Sequence, residues 1–274
     1  MARTVTTFAY NGSSWSTVSG GDLNLGTSGT FLAGNADDCV IFARNTTTES
    51  PDDATELWNG SSWSNSTDMA HKSNCGTGVS STDAIQTSGS NDPTNQLLDG
   101  TTWSDSVDCG QNTHLSQTAG TSTDLMKASG YHYPSDNNSY TGTETLDGTT
   151  WSSGPTVINE GSYGTAWGTG STFFLRYGGI DYNSPYGNPT PHTTYRACSY
   201  YNGTAWSNDN QAPDAGGLDG GIYNGTFQSA SIGNDGGSSS GGAVYHAGST
   251  MAFRDSHSKV ETTYEMTWTG GLTL

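Results

Sequence analysis

Tyr10-Asn-Gly-Ser-Ser-Trp15 returns as Trp58-Asn-Gly-Ser-Ser-Trp63, Leu98-Asp-Gly-Thr-Thr-Trp103, Leu146-Asp-Gly-Thr-Thr-Trp151 and Tyr201-Asn-Gly-Thr-Ala-Trp206. A degraded copy, Trp268-Thr-Gly-Gly-Leu272, follows late in the chain. The five full copies place a Trp every 40 to 55 residues. Asn-Gly or Asp-Gly between apolar residues predicts a two-residue type I′ hairpin, whose central positions both need φ > 0. Each strand of such a hairpin carries a large anchor for burial.

A second column lies between the hairpins. Val40-Ile-Phe-Ala-Arg-Asn45, Ala84-Ile-Gln-Thr-Ser-Gly89, Leu125-Met-Lys-Ala-Ser-Gly130, Phe174-Leu-Arg-Tyr-Gly-Gly179 and Val244-Tyr-His-Ala-Gly-Ser249 each open apolar and close on small or turn residues. A Gly/Ser/Thr-rich strand precedes each. One unit therefore reads as four antiparallel strands, and a four-stranded unit at this period is a propeller blade. The expectation is one all-β β-propeller domain over 1–274. It has an N-terminal closing hairpin in 1–26 and five complete blades near 27–66, 76–106, 114–153, 161–208 and 221–274. Six blades is the alternative, favoured by mean blade length, whereas the strand count favours five.

Composition agrees. Of 274 residues, 26 are Asp or Glu and only 8 Lys or Arg, a net charge of −18. Nucleic-acid binding is not expected of a chain so poor in cations. Gly numbers 38 without a period of three, which excludes collagen. Aromatics at 11% argue against disorder although only 31% of residues are hydrophobic. MARTVTTFAY has no apolar signal core, and no apolar run approaches a membrane span of about 18 residues, so no membrane insertion is expected.

Phe173-Phe-Leu-Arg-Tyr-Gly-Gly179, a long loop, then Tyr200-Tyr-Asn-Gly-Thr-Ala-Trp206 resembles the kelch repeat: an apolar strand ending in Gly-Gly, a Tyr strand, then a Trp. The phrase Tyr/Trp-Asn-Gly-Ser/Thr-x-Trp is similar to kelch-like repeats in tail-fibre and virion proteins of bacteriophages, notably those of marine and cyanobacterial hosts. The resemblance implies a kelch-like propeller serving as a non-enzymatic virion module: tail fibre, spike or capsid decoration. Its partners would be other virion proteins and host-surface glycan, and a homo-oligomer fits the same role. It implies no cofactor.

Candidate chemistry falls in three places. The third column position holds Phe42, Gln86, Lys127, Arg176 and His246, four of them polar on strands expected to be buried. They either line a pocket at the channel mouth or bond neighbouring loop carbonyls. Two long loops carry Tyr131, Tyr133, Asp136, Asn137 and Tyr140, and Asp181, Tyr182 and Tyr186. Such rings stack on sugar C–H faces while Asp and Asn bond hydroxyls; the other reading is an ordinary ordered loop. His71, Cys75, Cys109 and His114 fall in successive inter-blade loops. They are a candidate tetrahedral metal set or, through Cys75 and Cys109, a disulfide; the plainer reading is unlinked residues. No carboxylate pair, nucleophile with base or copper set forms a recognisable catalytic constellation. A glycan depolymerase and a cellular kelch-type protein-interaction scaffold are the rival functions.

Overall fold

The computed structural model describes residues 6–10, 14–24, 31–35, 37–42, 53–71, 75–87, 92–113, 115–130, 132, 139–159, 164–177, 180–181, 193–194, 198–208, 221–223, 227–232, 242–247, 250–255 and 263–267. The chain opens with a hairpin, β1 (Phe8–Tyr10) and β2 (Trp15–Thr17). Four four-stranded antiparallel sheets follow. The first is β3 (Phe31–Gly34), β4 (Cys39–Phe42), β5 (Glu56–Trp58) and β6 (Trp63–Asn65); the second is β7 (Gly76–Ser80), β8 (Asp83–Gln86), β9 (Asn95–Leu98) and β10 (Trp103–Ser106). The third is β11 (Gln117–Thr121), β12 (Asp124–Ala128), β13 (Thr143–Leu146) and β14 (Trp151–Gly154). The fourth runs through β15 (Thr165–Gly168) and β16 (Phe174–Tyr177), then a two-stranded side loop, β17 (Ile180–Asp181) and β18 (Thr193–Thr194), then β19 (Cys198–Tyr201) and β20 (Trp206–Asn208). The last sheet has five strands where four were expected: β21 (Gly221–Tyr223), β22 (Phe227–Ile232), β23 (Gly242–Ala247), β24 (Thr250–Asp255) and β25 (Thr263–Thr267).

The first strands make a ring. β3 packs on β7, β7 on β11, β11 on β15, β15 on β21 and β22, and β21 returns to β3. The four-stranded sheets are thus blades around an axis. The apolar interior is divided among their interfaces. Ala33, Val40, Phe42, Ala84 and Leu98 with Trp103 fill the first junction. Ile85, Leu125 and Leu146 with Trp151 fill the second. Ala119, Met126, Ala166, Phe174, Tyr201 and Trp206 fill the third. The hairpin Trp of each later blade therefore closes a junction.

The hairpins differ from expectation in their turn. The apolar anchors pair directly across the strands, as in Trp58 with Trp63 and Leu98 with Trp103, so four residues separate them. The Asn or Asp keeps φ < 0, and only Gly60, Gly100, Gly148 and Gly203 are left-handed. A side-chain oxygen, not a type I′ backbone, closes the loop. Asp147 Oδ1 accepts the N–H groups of Thr149 and Thr150 at 2.9 and 2.8 Å, and Asn59 Oδ1 accepts those of Ser61 and Ser62 at 3.0 Å each.

The register also corrects the middle-strand column. Gln86 pairs with Gln96, Lys127 with Glu144 and Arg176 with Ser199; in the first blade the residue so paired, with Glu56, is Ile41 rather than Phe42. The uninterrupted apolar run Cys39–Phe42 carries no alternation to reveal that offset.

Candidate functional site

Antiparallel alternation gives the propeller two unlike faces. One holds the short turns: 35–38, 81–82, 122–123 and 169–173, together with the four Asx-closed hairpins. On this face Asp38, Asp83 and Asp124 accept the N–H groups of Ser81, Ser122 and Ser171 at 3.2, 2.7 and 2.7 Å, each a bond from one blade to the next. The opposite face holds the connectors between blades and the long loops between second and third strands. It is the candidate site.

The polar column organises the loop face from beneath. Gln86, Lys127 and Arg176 are all at most 2% exposed. Gln86 Nε2 donates to Thr94 O at 3.4 Å, Lys127 Nζ to Gln111 O at 2.6 Å, and Arg176 to Asn159 O. Arg176 Nε also donates to Gln117 Oε1 of the preceding blade, at 2.5 Å. These donors hold loop backbone. His246 lies on β23, and its side chain is outside the described residues.

A second column on the third strands was not singled out from the sequence. Glu56, Gln96 and Glu144 are buried, and each accepts a backbone N–H from the segment that feeds its own blade: Asn24 at 2.8 Å, His71 at 3.1 Å and Gln111 at 3.0 Å. Their spacing from the hairpin Trp was a usable signal: Glu56, Gln96 and Glu144 all precede Trp by seven residues.

Of the first long loop, the stem is described. Ser129 is left-handed, with φ 60°, and its Oγ donates to Tyr140 O at 2.9 Å. Tyr140 N–H donates to Gly130 O at 2.8 Å. The Tyr140 ring stacks on His132 with centroids 5.0 Å apart and lies over Gly142, where a Cβ would displace the ring. Tyr131, Tyr133, Asp136 and Asn137 lie outside the described residues. In the next blade Asp181 sits on β17, paired with Thr193 of β18, at the stem of the second loop; its side chain, Tyr182 and Tyr186 lie outside the described residues.

The candidate metal set is divided. His71 Nδ1 is 2.8 Å from Asp92 Oδ2 and its Nε2 is 3.7 Å from Asp105 Oδ1. Burial opposes ionisation of Asp92, but hydrogen bonds from Thr94 and His71 hold its pKa below the usual value. Cys75 and Cys109 are buried thiols, and His114 lies outside the described residues. Among the described residues no three His, Cys, Asp or Glu side chains are placed to hold a metal ion.

With these blades and this ring, the chain has the kelch-type β-propeller fold. It is similar to the solved structure of YjhT, with a TM-score of 0.68 at 10% identity over 95% of this chain and 91% of that one. No family model and no curated protein sequence matches the chain.

Proposed function

We propose that the protein is a non-enzymatic adhesion module whose loop face binds a surface glycan, carried on a phage particle as a tail-fibre, spike or capsid-decorating component. The stacked His132–Tyr140 pair at the stem of the loop carries the reading: an aromatic surface held in place by main-chain bonds. The buried donors beneath, spent on loop carbonyls, support a preorganised binding face. The virion setting rests on the repeated phrase and its resemblance to phage kelch-like repeats.

A glycan array on the purified chain tests the first part. Binding is expected, and Tyr140→Ala should weaken it about tenfold, the worth of a lost aromatic contact. Asp147→Asn, on the opposite face, should leave binding unchanged. Release of reducing sugar that disappears on a single Asp or Glu change would replace this reading with a depolymerase. Mass spectrometry of particles purified from the source culture tests the setting; recovery only from the cell fraction, with one stoichiometric protein partner, would favour the interaction scaffold.

A further inference from the structure

The junction between the second and third blades contains a buried amine beside a thiol. Lys127 Nζ lies 3.4 Å from Cys109 Sγ, and the two residues are 2% and 4% exposed. Gln111 O accepts from Nζ at 2.6 Å, and the Cys109 thiol faces the carbonyls of Gln111 and Pro93 at 3.2 and 3.5 Å. Both partners are thus held by main chain. Cys75 belongs to the same neighbourhood, with Sγ accepting the Ser116 N–H at 3.0 Å. Burial pushes the Cys75 thiol up in pKa and outweighs the opposing pull of the Lys127 cation.

We propose that Cys109 and Lys127 form an oxidative cross-link, Cys109 Sγ–O–Nζ Lys127, when the protein meets a peroxide. In the first step the sulfur attacks hydrogen peroxide. The O–O bond breaks, sulfenic acid forms and one water leaves, so sulfur is oxidised by two electrons. In the second, a further peroxide oxidises the amine nitrogen by two electrons. The N–O bond forms to the sulfenic oxygen, two waters leave, and the ammonium's extra proton goes to solvent. An inserted oxygen requires less approach from 3.4 Å than a direct S–N bond would. The buried setting limits the water that would otherwise consume a sulfenic acid, and Cys75 is the thiol that competes with Lys127 for it.

The test is intact mass and a chymotryptic map of the full chain after hydrogen peroxide. The expected product gains one oxygen and loses two hydrogens, joins the peptide of Cys109 to that of Lys127, and reverts with a thiol reductant. It should persist in Cys75→Ser, vanish in Cys109→Ser and Lys127→Arg, and fail to form in urea. A loss of two hydrogens alone, joining Cys75 to Cys109, would overturn the proposal. So would oxygen added to Cys109 without a link to Lys127, or no change in mass. If Lys127→Arg does not fold, the wild-type map decides.

Discussion

Asn59, Asp99, Asp147 and Asn202 perform one task with two functional groups. In each turn Oδ1 accepts two N–H bonds, so an amide and a carboxylate serve alike. They differ in acid. The backbone N–H of Thr102 and the groups of Thr101 hold Asp99 down at a pKa of about 2, against an ordinary 3.8, and the Thr149 and Thr150 groups lower Asp147 further. The folded pKa is depressed, so the stabilisation is complete above the ordinary value and is lost as pH falls through the folded one. The double variant Asp99→Asn, Asp147→Asn should therefore give up the stabilisation that ionisation adds at neutral pH and unfold less steeply in acid, followed by tryptophan fluorescence. An unchanged acid transition would remove these turns from the account. Gly120 is a different kind of residue. With φ +125°, its backbone lies against the Asp124 carbonyl, and a Cβ would collide with it. Gly120→Ala should cost about 3 kcal/mol in urea unfolding, because both the torsion and the clash oppose it.

At the scale of the hairpin, the tryptophans tie neighbouring blades. Trp63 Nε1 donates to Thr7 Oγ1 at 2.9 Å, Trp103 to Thr55 Oγ1, Trp151 to Val107 O and Trp206 to Pro155 O, each at 3.0 Å. Trp103 also meets Phe42 edge-on, with centroids 5.2 Å apart. Trp103→Phe keeps the packing and loses the bond, at about 1 kcal/mol; Trp103→Ala leaves a cavity and costs about 3 kcal/mol. Equal losses in denaturant titration would mean that packing contributes little here. The hairpins were legible because their chemistry is local: an Asx oxygen, a left-handed Gly and two facing anchors within six residues. The turn type was not, since type I′ and an Asx-closed loop both favour Asn-Gly. Nor was the offset at Ile41, where four apolar residues stand in a row. Of the loop face, sequence showed the long loops and the polar column, but not what the column does. The acceptors of Lys127 and Arg176 lie 16 and 17 residues back, on the connectors that feed their blades. Glu56, Gln96 and Glu144 were hidden for the same reason: their partners are 25 to 33 residues away.

Over the whole molecule, stability should divide by junction, because each cluster joins two neighbouring blades. The N-terminal hairpin shows how a junction ends. Thr7 stands just before β1 as Thr55 stands before β5, and each accepts from the hairpin Trp of the blade beside it. β1 and β2 thus stand to the first blade as an outer blade half stands to the next. Gly21 lies against the Trp58 ring, where a Cβ would crowd it. Removing residues 1–22 should therefore uncover Trp58 and leave the Trp63 N–H to solvent, while the Asn24 bonds to Glu56 remain. The expected outcome in hydrogen exchange is a tenfold or greater loss of protection in β4 to β6, with β11 to β14 unchanged. The junctions described between the first four blades would still hold the rest. A uniform loss across all blades would mean instead that the ring opens as a single cooperative unit, and that its closure, rather than the separate junctions, holds it together.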